Sequence, residues 1–280
     1  MDEKNTDLSF IDKIVELSAV PAVVMELMTL LTDPSDKNKE TLIVKKIKRD
    51  PAMATFIYKL CGSPLIGIRE QVATVEHALD IIGFPRYKSM LMAYFLRDLY
   101  GKSGKKYIGG YLWEHSLYVA FICRELALHL EYVPERVEEA YIAGLLHDIG
   151  KLVLFFHDAK TYEPLMFEAD RERKEFRSLE ENQYGFSHVE AGYYLAEKWG
   201  LADLFKDSIR YHHCPGEYRG EEEIVRLVAF GNITSYYAIV KQVELPGEFL
   251  EYYNLSEEKY ENIIDKIFGV LVDARLLQIN

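Results

Sequence analysis

The residues whose types and spacing suit chemistry are His115 in YLWEHSLYVA, His147, Asp148 and Lys151 in GLLHDIGKL, His188 after Ser187, His212 and His213 in YHHCP, and Asn232 in LVAFGNITSYY. The central stretch poses the question. AYIAGLLHDIGKLVLFF is an apolar, helix-like run, and charged groups facing a core are costly unless paired or bound to a metal. Imidazole nitrogens and carboxylate oxygens are the donors that Fe, Mn or Zn take, and one carboxylate can bridge two ions. Asp148 is the bridging candidate, with His147 ligating beside it. Neighbouring side chains on a regular helix point about 100° apart, so an ion serving both must sit between them. Lys151 is four residues from His147 and three from Asp148 and shares their face, where its ammonium suits a ligand carboxylate or an incoming phosphate. Two such ions activate water as a nucleophile and neutralise phosphoryl charge.

Taken singly, each signal has a plainer reading. His115 alone reads as a satisfied core histidine, the His147-Asp148 pair as chance, and Lys151 as a solvated face. His77, His129 and His157 read as surface or core-edge residues. Cys214 beside His213 lacks the oxyanion and second-base signature of a thiolate nucleophile. The constellation, not any one member, points to metal.

These residues need a scaffold, and 280 residues suffice for one large domain or two small ones. A net charge of −12 argues against broad nucleic-acid backbone binding but not against one small phosphate ester at a metal. The N-terminus MDEKNTDLSF is polar and acidic, so no signal peptide is expected, and no apolar run is expected to reach the roughly 18 residues of a membrane span. Cys61, Cys123 and Cys214 are scattered, which fits a reduced cytoplasm.

The pattern reads as helix after helix, an all-α fold. Pro21 opens AVVMELMTLLTD, with Val24, Leu27, Met28 and Leu31 on one stripe. Asp50-Pro51 starts a helix ending at Gly62; Thr74 caps VEHALDIIG, Gly83 stops it, and Pro85 restarts a helix to about Leu99. The segment 101-GKSGKKYIGG-110 is the clearest break, and divides an N-terminal helical part (1–102) from a C-terminal helical part with an extension (103–280). A long helix, YLWEHSLYVAFICRELALHL, then PERVEEAYIAGLL follow. Ser187 and Glu190 form a capping box for a helix that stops at Gly200, LADLFKDSIRYHH ends before Pro215, and EEEIVRLVAFGNITSYYAIVKQV and SEEKYENIIDKIFGVLVDARLL complete the chain. The last helix is expected to cap the bundle or mediate dimerisation.

The order His115, His147-Asp148 and position 232 resembles the HD superfamily of metal-dependent phosphohydrolases. LSAVPAVVMELMTLLTDPSD, IKRDPAMATFIYKLCGSP, VATVEHALDIIGF and EHSLYVAFICRELA, continued by AGLLHDIGKLVL, YGFSHVEAGYYLAEKWGL and IRYHHCP, resemble in order the narrower HDOD family, the HD-related output domain of bacterial signalling, over roughly residues 17 to 240. The resemblance implies an N-terminal helical bundle packed on an HD-type bundle, and a regulatory role with other signalling proteins as partners. HDOD proteins often lack a full ligand set. This chain keeps His115, His147, Asp148, Lys151, His188, His212 and His213, which match positions used by the related HD-GYP phosphodiesterases of cyclic di-GMP. It departs in having Asn232 where the superfamily ends its ligand set with aspartate, and in reading CPGEYRG without the glycine–tyrosine–proline loop.

The expected cofactor is therefore a divalent metal, mono- or dinuclear, Fe or Mn before Zn or Ni. The seven residues proposed to hold it are His115, His147, Asp148, His188, His212, His213 and Asn232, with Lys151 and Asp148 carrying any catalysis. Three readings follow: a regulatory metal-binding module with a nucleotide or phosphate ligand, an active phosphohydrolase, and an interaction module in which the histidines are relics.

Overall fold

The computed structural model of the chain describes residues 39–62, 72–103, 106–172, 175–240 and 247–273. Among these, every element is helical: α1 (Lys39–Ile47), α2 (Pro51–Cys61), α3 (Val75–Ile82), α4 (Phe84–Gly101), α5 (Lys106–His129), α6 (Pro134–Leu146), α7 (Ile149–His157), α8 (Ala159–Glu172), α9 (Phe176–Tyr184), α10 (His188–Lys198), α11 (Asp203–Tyr211), a short 3₁₀ turn (Pro215–Glu217), α12 (Glu223–Val240), α13 (Gly247–Tyr252) and α14 (Glu257–Asp273). The stripe expected after Pro21 lies outside the described residues.

Local chemistry sets the helix ends. Asp50 Oδ1 accepts from the N–H groups of Ala52 and Met53 at 3.0 Å, which starts α2. Thr74 caps α3 by accepting from His77 N–H at 3.0 Å, and Gly83 ends it at φ +76°, a value costly for other residues. Ser187 and Glu190 form the expected capping box at α10, which fixes the position of His188 in its first turn.

The break at 101–110 is shorter than its four glycines suggest, because Gly109 and Gly110 lie inside α5. A Cβ on Gly109 would stand 2.6 Å from the Tyr100 carbonyl, so that glycine serves a tight corner between α4 and α5, not a linker. Helix α4 also packs on α6, and one continuous core runs from Ile43 to Ile267. Helix α5 lies against α6, α12 and α14, and α7 crosses α10. In α14, Tyr260, Ile263, Ile264 and Ile267 are buried, so the final described helix caps the bundle.

Two expectations need correction. The run around His147 is two helices, not one, since α6 stops at Leu146 and α7 starts at Ile149. The stretch Pro134–His157 is also, by length and composition, apolar enough to cross a membrane, but 89% of its apolar window is buried inside the molecule. That apolarity belongs to the bundle core.

Candidate metal centre

The break between α6 and α7 builds the centre. Asp148 sits at φ −105°, ψ 14°, outside the helical wells, so His147 and Asp148 do not diverge as they would on a continuous helix. His147 Nε2 lies 3.3 Å from Asp148 Oδ2. Glycines on either side allow close helix crossings. A Cβ on Gly144 would stand 2.6 Å from Ala120 Cα in α5, and one on Gly150 would stand 1.8 Å from the His188 carbonyl. Without side chains there, α5 brings His115, and α10 brings His188, up to Asp148.

The result is a cluster divided between the two oxygens of one carboxylate. His115 and His147 address Oδ2, with Nε2 atoms at 3.2 and 3.3 Å and 3.2 Å from each other. His188 and His212 address Oδ1, each with Nε2 at 3.4 Å. His213 Nε2 stands 3.0 Å from His188 Nε2. Asp148, His115, His147, His188 and His212 are all at most 3% exposed, whereas His213 is exposed.

The opposite ring nitrogens fix the protonation pattern. His147 Nδ1 donates to the Gly144 carbonyl and His212 Nδ1 to the Ile209 carbonyl, both at 2.7 Å; each histidine just past its helix occupies a carbonyl one turn back. His188 Nδ1 donates to Glu180 Oε2 at 2.5 Å. Ser235 Oγ donates to the Asn232 carbonyl at 2.8 Å and therefore accepts from His115 Nδ1 at 3.1 Å. All four Nε2 atoms thus present bare lone pairs, aimed at one another and at a carboxylate.

Acceptors facing acceptors need a cation between them. Lys151 supplies one, its Nζ 2.6 Å from Asp148 Oδ2. Asp148 Oδ1 and His212 Nε2 still have no hydrogen-bond partner among the described residues. Burial pushes Asp148 up, but the Lys151 ammonium outweighs it and holds the carboxyl well below the usual range. Burial lowers His115 to about 4 and His212 to about 3, so both stay neutral near pH 7. Donors about 2.1 Å from one ion stand about 3.0–3.4 Å apart in octahedral or tetrahedral coordination, the range of separations found here. The residues therefore fit divalent metal, and two groups qualify: His115, His147 and Asp148, and Asp148, His188, His212 and His213.

Asn232 is buried at 4% exposure with Oδ1 lacking a hydrogen-bond partner among the described residues, one turn before the Ser235 that holds His115. Glu180, fully buried, was not anticipated. Its Oε2 accepts from both Nδ1 and the backbone N–H of His188, while Oε1 accepts from Tyr162 at 2.5 Å. The Phe176 ring stacks on His188 with centroids 6.3 Å apart, and Lys151 Nζ lies 5.8 Å above the same ring.

The HDOD domain model matches residues 17–215, a span that holds every histidine of the cluster but not Asn232. Among solved structures, an HDOD domain protein of unknown function from Geobacter sulfurreducens is 25% identical, with TM-score 0.71 over 90% of this chain and 89% of that one. A candidate phosphohydrolase from Shewanella amazonensis SB2B shares the fold at 18% identity and TM-score 0.69, covering 95% of this chain and 94% of that one. An uncharacterized protein of Treponema pallidum (strain Nichols) is 22% identical over 90% of this chain; the chain spans about half the length of that curated relative, 48%. With the family's pattern running through the greater part of its length, the chain belongs to the HDOD family.

Proposed function

We propose that the chain is a regulatory HDOD module whose core holds divalent metal, with Asp148 as the shared carboxylate. One observation carries this reading: four Nε2 lone pairs converge on both oxygens of Asp148, each held in its tautomer by a committed Nδ1. His115 and His147 would hold metal on the Oδ2 side, and His188, His212 and His213 on the Oδ1 side. Bound there, divalent metal supplies Lewis-acid charge and an anchor for an oxyanion. The chain's own residues orient the donors, keep them neutral and exclude water. Lys151 neutralises the carboxylate. Burial of all these groups except His213 favours holding metal over rapid turnover, and a neutral Asn232 points the same way. Partners in this reading are other signalling proteins in the cytoplasm, where the three free cysteines stay reduced.

Metal analysis of protein purified without a polyhistidine tag tests the reading. About one to two equivalents of Fe, Mn, Zn or Ni are expected, lowered in His147→Ala and Asp148→Ala. Less than about a tenth of an equivalent after reconstitution overturns it.

A second reading, a metal-dependent phosphohydrolase, is favoured by exposed His213, which gives the cluster an edge on solvent, and by Lys151 as a cation for a phosphoryl group. Metal-loaded protein is assayed on a generic phosphodiester and on cyclic and linear nucleotides. Turnover lost in Asp148→Ala supports the enzyme; no hydrolysis with metal confirmed supports the regulatory module.

A further inference from the structure

A second cluster of buried charge, sharing no residue with the histidine cluster, lies where α3 and α4 meet α5 and α6. It lines a groove of about 460 Å³ whose walls include Ile82, Arg86, Arg124, Leu128, Tyr132 and Glu138. Arg124 is 8% exposed and Glu138 6%, and they pair at 3.2 Å through one guanidinium nitrogen and one carboxylate oxygen. Arg124 Nε is buried without a hydrogen-bond partner among the described residues. A guanidinium offers five donors in a planar fork, so this pairing leaves donor capacity on Arg124, which lines the groove.

The local field has the matching sign. Burial first, and then the positive charge of Arg124, lower Arg86 to about 10, with the Glu138 carboxylate only partly opposing them. Helix α6 adds to this: it opens at Pro134 behind Val133, which provides no side-chain cap, so first-turn N–H groups remain at the rim. The groove has an apolar side as well, since Leu128 is 48% exposed at its wall. Asp80 and Glu135 are exposed lining residues, and their charges disfavour polyanions.

We propose that this groove binds a small organic anion, a carboxylate or phosphate monoester whose head lies between Arg86 and Arg124 and whose apolar body lies on Leu128 and Tyr132. The head satisfies the buried Arg124 donor, the body covers exposed apolar wall, and the acidic rim selects a single charged group over a polyphosphate or nucleic acid.

Calorimetric titration of the full chain tests this with phenyl phosphate, benzoate, inorganic phosphate and neutral benzyl alcohol. Phenyl phosphate or benzoate should bind saturably below about 1 mM, and at least about tenfold more tightly than inorganic phosphate because the ring buries apolar surface. Whichever of the two binds more tightly identifies the head. Benzyl alcohol should not bind. Chelation of metal should leave binding unchanged, Arg86→Met should weaken it at least about tenfold, and Leu128→Asp, at an exposed position, at least about fivefold. Arg124→Met strands the buried Glu138 and risks unfolding, so the proposal does not depend on it. The groove is overturned by absence of saturable binding, by equal binding of benzyl alcohol, by loss of binding on chelation, or by Arg86→Met and Leu128→Asp both binding as the parent does.

Discussion

Glu180 holds His188 twice, its Oε2 accepting from the ring Nδ1 at 2.5 Å and from the backbone N–H at 2.9 Å. One carboxylate oxygen thereby sets both the tautomer of the histidine and the place where its helix begins. The other oxygen is held by Tyr162. Such a partner raises the basicity of the ligating nitrogen and restricts ring rotation, and its loss typically lowers metal affinity about 10- to 100-fold. Glu180→Ala should therefore weaken metal binding in a chelator-competition titration by that factor. Glu180→Gln, which still accepts from Nδ1, should lose less. Equal affinity in parent and Glu180→Ala would show that His188 needs no carboxylate behind it.

Gly150 makes a separate prediction, on packing. A Cβ there meets the His188 carbonyl at 1.8 Å and the Gly192 nitrogen at 2.6 Å, and both obstacles are backbone. Helices α7 and α10 must separate, which costs about 1–3 kcal/mol for overpacking of this kind and moves His188 away from Asp148. Gly150→Ala should lower both the denaturation midpoint and the bound metal. Gly216→Ala, where a Cβ meets nothing within 4 Å among the described residues, is the control and should stay within about 0.5 kcal/mol of the parent.

These two residues mark where the sequence stops being readable. The helices, the caps at Thr74 and Ser187, and the six polar residues that meet at Asp148 were legible, because each is announced by residue type and short-range spacing. The turn between His147 and Asp148 was not, since an apolar run of that length fits an unbroken helix equally well. Gly150 and Gly192 stand 42 positions apart, and nothing local pairs them. Glu180 left a faint trace: it falls four residues after Phe176 and four before Tyr184, so an acid occupies the inward stripe of α9. Among its neighbours Glu175 and Glu181 that trace is hard to separate from a solvated face.

The pH dependence of the metal-free protein follows from the depressed histidines. His115 and His212 are lowered from 6.5 to about 4 and about 3, so between those values the unfolded chain binds more protons than the folded one. Their neutral burial supports the fold fully above about pH 6.5, and that support is lost as pH falls toward 4 and 3, at up to about 1.4 kcal/mol per pH unit for each. Asp148, held below its usual value, adds a further loss once pH drops below about 4. Denaturant titrations of chelated protein should therefore show stability falling from pH 7 to pH 4. His115→Gln should reduce the slope by up to about one proton. A flat profile over that range would show that the histidines are not buried neutral in solution.

Asn232 separates a ligand from a bystander. Its Oδ1 is buried without a hydrogen-bond partner among the described residues, and its backbone carbonyl anchors the Ser235 hydroxyl that holds His115. Asn232→Asp keeps the shape and adds a charge, so its effect depends on what stands opposite. With a divalent ion in reach, the new carboxylate is a stronger ligand, and metal affinity should rise. With the ion stripped, the same carboxylate is buried and uncompensated, and stability should fall by about 1–3 kcal/mol. The variant should therefore widen the gap between the melting temperatures of metal-loaded and chelated protein. An equal fall in both forms, with metal content unchanged, would place Asn232 out of reach of the ion and leave it only the task of supporting His115 through Ser235.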